Sequence, residues 1–267
     1  MIRDITIGQY YPSNSILHKL DSRVKLIATL VFIISLFVVN NFIGYGFAFL
    51  CLAILIYISK VPVKFMLRGL KSIVFIIIFT LILNLFVTDG ETVLFSFGII
   101  RITLEGVLLA IKICIRLIML IVGSSLLTLT TTPIELTNGI ERGLVPLKKI
   151  GVPAHEIAMM MTIALRFIPT LLDETDKIIK AQQARGADFE TGNFLNRAKN
   201  LIPILVPLFV SSFRRAEELA TAMEARCYSG SENRTKLNVM KYNKRDFKAL
   251  FFIILYIVGI VLIKIFV

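Results

Sequence analysis

Long apolar runs separated by short polar connectors fill the first half of the chain, and their lengths predict its elements. From Leu26 to Ile58 the run is broken only by Asn40-Asn41 and a few small residues. At about 1.5 Å per helical residue it is too long for one crossing of a ~30 Å hydrocarbon layer. It therefore predicts two spans joined by a tight turn at the asparagines. The first, near residues 24–39, is short for a bilayer and depends on Arg23 and Lys25 snorkelling to the interface. Further spans are predicted from Ser72 to Val87, Leu104 to Leu129 and Phe247 to Val267.

The stretch 131–246 has a different pattern, polar overall but with helical periodicity. Thr132-Pro133-Ile134-Glu135 offers a capping threonine, proline at the first helical position and glutamate three residues after the cap, which together start a helix. Gly151-Val152-Pro153 starts another, running through His155 and Met159–Met161 toward Arg166. Pro169 is expected to end or kink that helix, as Pro203 and Pro207 are in the next. Residues 186–200 read as a polar, turn-rich break. Leu171, Leu172, Ile178, Ile179 and Ala181 mark one face of the first helix, and Asp173, Asp176, Lys177 and Lys180 the wet one. In the second, Phe209, Val210, Phe213, Ala216, Leu219, Ala220 and Met223 recur at offsets of three and four. Arg214, Arg215, Glu217, Glu218, Thr221 and Glu224 are assigned to its wet side. So much apolar surface does not suit a solvated linker; these helices must lie against the membrane interface, the spans or another protein.

Composition settles the class. With 267 residues, 56% of them hydrophobic, and a mean hydropathy of +0.80, this is an integral membrane protein, all-α and polytopic, with about five spans and amphipathic helices between the fourth and fifth. The net charge of +12 would suit nucleic acid, but its placement suits membrane orientation better. Lys60, Lys64, Arg68 and Lys71 share a connector with no acid, whereas Asp89 and Glu91 occupy the next. The positive-inside rule then puts the N-terminus and residues 131–246 in the cytoplasm and the C-terminus outside. Three regions result: 1–130 with four spans, 131–246 carrying the cytoplasmic helices, and 247–267 as the last span. Met1-Ile2-Arg3-Asp4 lacks a cleavable secretory signal, so the first run is expected to be retained.

Two near-copies stand out, Ala181-Gln182-Gln183-Ala184-Arg185-Gly186 and Ala222-Met223-Glu224-Ala225-Arg226-Cys227, each at the end of an amphipathic run. Either arginine alone could simply complement a helix C-terminal dipole. Repetition of the context favours docking, since the small flanking residues let a partner approach and a guanidinium can grip a carboxylate with two bonds. Gly186 can take the left-handed conformation that ends a helix; Cys227 lacks that freedom.

Other chemistry finds little support. Asp173 and Asp176 share a helix face, as in enzymes that hold a diphosphate through magnesium, yet no second acidic cluster faces them. That weakens a membrane prenyl-transfer enzyme. A self-contained secondary carrier would want inverted repeats or broken midplane helices, and the only repeat is in 131–246. His18 and His155 are isolated from other ligands, and Cys51, Cys114 and Cys227 form neither a disulfide framework nor a zinc site, so no metal or catalytic site is expected. There is no Gly-x-x-x-x-Gly-Lys phosphate loop and no Gly-x-Ser-x-Gly nucleophile elbow. Lys112 and Arg116, four apart within the fourth span, need a partner or an interface, and Glu105 could share the face of Lys112.

The stretch Asn14-Ser15-Ile16-Leu17-His18-Lys19-Leu20-Asp21-Ser22-Arg23-Val24-Lys25-Leu26 resembles the N-terminal signature of the transmembrane coupling subunit, the T component, of energy-coupling factor transporters. Thr131–Leu136, Leu165-Arg166-Phe167-Ile168-Pro169-Thr170 and Ala181–Gly186 follow in that family's order, and the second Ala-Arg-Gly motif stands here as Ala225-Arg226-Cys227. The resemblance implies a non-catalytic scaffold in an ABC-type importer, with two cytoplasmic ATPases, a small membrane subunit that captures a vitamin or metal ion, and a bacterial-type cell membrane. Ala184, Arg185 and Gly186 would dock one ATPase and Ala225, Arg226 and Cys227 the other. ATP and magnesium would be bound by those partners, and no cofactor or nucleic acid by this chain. Phe209, Phe213, Ala216, Leu219, Ala220 and Met223 are candidate contacts for the substrate-binding subunit, internal packing being the alternative.

Overall fold

The computed structural model describes residues 10–88, 92–97, 100–187, 189, 194–228, 230 and 242–266. Its helices are α1 (Ser22–Val38), α2 (Phe42–Ser59), α3 (Val63–Val87), α4 (Leu104–Thr130), α5 (Pro133–Leu144), α6 (Ala154–Ala184), α7 (Phe194–Ala225) and α8 (Lys244–Phe266). The chain is an all-α polytopic membrane protein with one small addition. Between α3 and α4 the expected connector forms an antiparallel hairpin, β1 (Val93–Phe97) paired with β2 (Ile100–Thr103).

The chain divides into two compact units, one of Gly8–Gly139 with Met240–Val267, the other of Ile140–Val239 with Met1–Ile7. By length and composition α2, α4, α6 and α8 can each cross a membrane, and α3 adds a fifth if its two bent parts count as one span. The qualification of α6 was not expected, since it falls within the stretch read as cytoplasmic. At 17 residues, about 25 Å, α1 is as short as expected.

In the larger unit α1 and α2 turn at the asparagines and pack on α4 and α8. Phe32, Leu36, Val39, Tyr45, Ala48, Leu52, Met119 and Ile260 form one buried cluster; Val61, Met66, Leu126 and Leu129 form another. The Phe32 ring packs against Gly123 so tightly that an added methyl would lie 2.6 Å from it. Polar residues of the N-terminal signature fasten one end of this bundle. Asp21 caps α1 by accepting from the Arg23 amide, while buried Asp246 accepts from the Asp21 amide at 2.9 Å and the Asn243 amide at 2.7 Å. Buried Lys25 donates to the Thr130 carbonyl at 2.9 Å and the His18 carbonyl at 3.1 Å, so it is tied inside the bundle rather than snorkelling. The start of α1, the end of α4 and the start of α8 are thus joined by charge-assisted bonds.

Several boundaries moved for definable reasons. Helix α3 begins at Val63, ahead of the span expected from Ser72 and bent by 60° between Lys71 and Ile73, because Pro62 stands just before a helix start, where no N–H is required, and Lys64 and Lys71 are good helix formers. The capping box at α5 is formed as expected: the Thr132 amide donates to Glu135 and the Glu135 amide to the Thr132 hydroxyl, both at 3.3 Å. Pro169 does not end α6, and neither Pro203 nor Pro207 ends α7. Helix α7 begins at Phe194, inside the stretch expected to be turn-rich.

Candidate docking site: two arginine-capped helix ends

Arg185 and Arg226 occupy the same structural position. Arg185 is the cap residue of α6, and Gly186 follows with φ +85°. Three bonds close the turn: Arg185 N–H to the Gln182 carbonyl at 3.1 Å, Gly186 N–H to Gln183 at 2.9 Å and Ala187 N–H to Gln182 at 3.0 Å. At the end of α7 the set repeats, with Arg226 N–H to Met223 at 3.1 Å, Cys227 N–H to Glu224 at 2.8 Å and Tyr228 N–H to Met223 at 3.0 Å. Both are Schellman caps, in which a left-handed residue lets two amides turn back onto the last carbonyls. Cys227 adopts the turn as well, at φ +55°, despite lacking glycine's freedom. A side chain in that region costs about 1–2 kcal/mol, a cost the two backward bonds offset.

Ala184, Arg185 and Gly186, and likewise Ala225, Arg226 and Cys227, are exposed. Among the described residues neither guanidinium has an ion-pair partner. Each arginine is therefore carried on a rigid turn, at the end of a helix of 31 or 32 residues, with its charge available to another chain.

The two helices pack on each other. Glu174 on α6 accepts from the Ser211 hydroxyl and, at 2.9 Å, from Nη2 of Arg215 on α7, whose guanidinium also lies 5.9 Å from the Phe167 ring centre. These side chains are 24% and 32% exposed. Nearer the arginine cap, the Gln182 amide donates to the Pro203 carbonyl at 3.4 Å. Pro207 lacks the N–H that would have served that carbonyl four residues back in the helix, so Gln182 of the first motif occupies the acceptor the proline frees. In this way the end of α6 is anchored to α7.

This contact corrects the reading of α7. Arg215 is not on a solvated face; with Ser211 it points at α6, and Ile204, Leu208, Ser212, Leu219 and Met223 are buried or half-buried. Phe209, Phe213, Ala216 and Ala220 form a second stripe, turned away and bare. Phe209 is 67% exposed and Phe213 63%, with ring centres 4.8 Å apart, and Ile202, Leu205 and Val206 continue the stripe toward the start of α7. The six candidate contacts are thus split, Leu219 and Met223 half-buried and the other four exposed. On α6, Ala181 is exposed and Asp176 half-buried, against expectation.

Glu174 and Arg215 were missed as a pair. The available signal was that Glu174 lies three residues beyond Leu171 and seven beyond Phe167, so it interrupts the inward stripe with a charge. Because Glu174 is committed to α7, Asp173 and Asp176 gain no acidic companion from it. No group able to hold a metal ion is found among the described residues. His155 Nδ1 lies 3.2 Å from buried Glu141, joining α5 to α6. His18 Nε2 lies 2.9 Å from the Tyr11 carbonyl and its Nδ1 2.6 Å from Ser15 Oγ, and burial lowers its pKa below the ordinary value. Glu105 is held by the Thr92 hydroxyl at 2.7 Å rather than paired with Lys112.

Such a fold defines a class: a multi-pass membrane protein with two equivalent, charged, solvent-facing helix ends and a bare apolar helix face. Residues 13–237 match the CbiQ family model, described as cobalt transport protein, and the chain belongs to that family. It is 60% identical over 246 residues to the energy-coupling factor transporter transmembrane protein EcfT of Ruminiclostridium cellulolyticum, covering 92% of each chain. It is 57% identical to the protein of the same name from Clostridium kluyveri over 250 residues, 93% of each, and 54% identical to that of Thermosediminibacter oceani over 248 residues, 93% of each.

Proposed function

We propose that this chain is the energy-coupling transmembrane component of an importer, a non-catalytic scaffold between two cytoplasmic ATPases and a small membrane subunit that captures a vitamin or metal ion. The observation that carries the reading is the repeated cap: Arg185 and Arg226 sit on superimposable hydrogen-bond patterns, exposed and, among the described residues, without a counter-ion. One arginine docks each ATPase. Where an ATPase presents a carboxylate, the guanidinium fork holds it with two bonds and transmits displacement along the helix axis. ATP and magnesium are bound and consumed by the partner chains.

The bare stripe of α7, led by Phe209 and Phe213, receives the substrate-binding subunit. An exposed apolar stripe of this size marks a partner or lipid surface. Since Gln182 adjoins the Arg185 cap and holds the carbonyl of Pro203, motion at the first docking end reaches the stripe directly. The N-terminus and residues 131–246 are cytoplasmic and the C-terminus external, in keeping with the basic residues before α1 and from Lys60 through the first turns of α3.

The test is ATP-driven uptake into proteoliposomes that contain the chain, its ATPases and a substrate-binding subunit. Replacing both Arg185 and Arg226 by glutamine is expected to abolish ATPase co-purification, or to leave hydrolysis running without uptake. Uptake at the unaltered rate would reject the docking role.

A further inference from the structure

Lys112 and Arg116 lie on α4 within the membrane unit, and nothing in the docking scheme uses them. Helix α1 runs antiparallel to α4: Lys25 meets Thr130, Phe32 meets Gly123, and Phe37 lies under Arg116 with its ring centre 5.4 Å from the guanidinium carbon. Helix α2 runs parallel to α4, with the Phe42 ring 5.2 Å from Lys112 Nζ and the Tyr45 hydroxyl accepting from Nε and Nη2 of Arg116 at 3.0 and 2.7 Å. These pairings end at Lys112. The α1–α2 turn at Asn40-Asn41 lies at that level, and α4 continues past it toward Leu104.

Two cations therefore stand beside a polar turn, at the rim of the α1–α2 pair, past which α4 still packs on α3. Among the described residues neither has a carboxylate within ion-pair distance, and Glu105 is turned to Thr92. An uncompensated charge on a membrane helix is costly. The hydrogen bonds to Tyr45 engage two of the three guanidinium nitrogens of Arg116 and supply no negative charge. Half-exposed Phe42 and exposed Phe37 flank the pair as aromatic residues flank a headgroup layer. What is missing is a compact anion reached from the membrane side by both a guanidinium fork and an ammonium one helical turn away, which is the chemistry of a phosphate diester.

We propose that Lys112 and Arg116 bind the phosphate of an anionic phospholipid headgroup beside the α1–α2 turn. The site does not rest on the transport reading. Native mass spectrometry of the full chain in detergent, titrated with phosphatidylglycerol, measures it. Lys112→Gln is expected to weaken phosphatidylglycerol binding about fivefold, the equivalent of about 1 kcal/mol per cation at an anionic surface. Lys112→Arg should keep it, and phosphatidylcholine should bind the unaltered chain more weakly. Lys112 makes no hydrogen bond within the described residues, so its substitution tests the site without the risk that Arg116→Gln carries of disturbing Tyr45. The proposal is overturned if Lys112→Gln binds phosphatidylglycerol as the parent does or if phosphatidylcholine binds equally. An equal loss from Lys264→Gln, an exposed cation in the last turn of α8, would also overturn it, as would displacement of the lipid by millimolar inorganic phosphate.

Discussion

The tie between Glu174 and Arg215 has a measurable strength. Exposed ion pairs contribute about 0–1 kcal/mol, whereas breaking a fully buried one costs about 3–5 kcal/mol. At 24% and 32% side-chain exposure, with a 2.9 Å charge-assisted bond and a second bond from Ser211, this pair lies between those limits. Glu174→Gln should cost about 1 kcal/mol, because the amide oxygen can still accept from Ser211. Arg215→Gln should cost about 2 kcal/mol, since it leaves the carboxylate with one neutral donor and removes the guanidinium from the Phe167 ring. The double variant should cost less than the sum by about 1–2 kcal/mol. Denaturant titration in mixed micelles supplies the four free energies of the cycle, and uptake per ATP hydrolysed in proteoliposomes should fall in the single variants along with stability. A coupling energy below about 0.3 kcal/mol, the range of independent sites, would refute the claim that this pair fastens α6 to α7.

The two caps make a second prediction by differing at one residue. A Cβ at Gly186 would meet no atom within 4 Å, so Gly186→Ala should destabilise through backbone conformation alone, by about 1 kcal/mol, and Cys227→Gly should be neutral or stabilising by a similar amount. Thermal unfolding in detergent compares them; a stabilising Gly186→Ala would contradict the left-handed cap. A third concerns acid. The pKa of His18 is lowered from 6.5 in the folded chain, chiefly by burial, so the unfolded chain takes up the proton first. Its contribution is complete above about pH 6.5 and is lost as pH falls below that toward the folded value. Melting temperature should drop between pH 7.5 and 5.5 more in the parent than in His18→Gln, and an identical drop would exclude His18.

Run length made most of the helices legible. The asparagine turn, the long α4, the last helix and the threonine capping box all lie where apolar pattern and cap chemistry put them. The hairpin was not legible in that way. Val93, Phe95 and Phe97, then Ile100 and Ile102, alternate with period two, but the segment is too short to stand out beside runs of membrane length. Pro169, Pro203 and Pro207 lie inside helices that continue past them, because a helix packed on a neighbour can have its freed carbonyls served by that neighbour's side chains, as Gln182 serves Pro203. For the site, the arginines and the left-handed turn at Gly186 could be read from the repeated motif, whereas the same turn at Cys227 could not, a side chain there being disfavoured. The apolar positions of α7 could not be divided correctly, because two stripes roughly a quarter-turn or more apart on the helix merge when only offsets of three and four are counted. Only the position of α6 distinguishes the covered stripe from the bare one.

Glu174 and Gln182 are two fastenings on the same helix, separated by about 12 Å along its axis. A single rivet would leave α6 and α7 free to scissor, and a push at either tip would be spent changing the angle between the blades. With a second rivet two turns further on, the angle is fixed and the blades swing together. On the proposed docking, a push at Arg185 would enter α6 only three residues from the Gln182 fastening and pass to α7 through both ties.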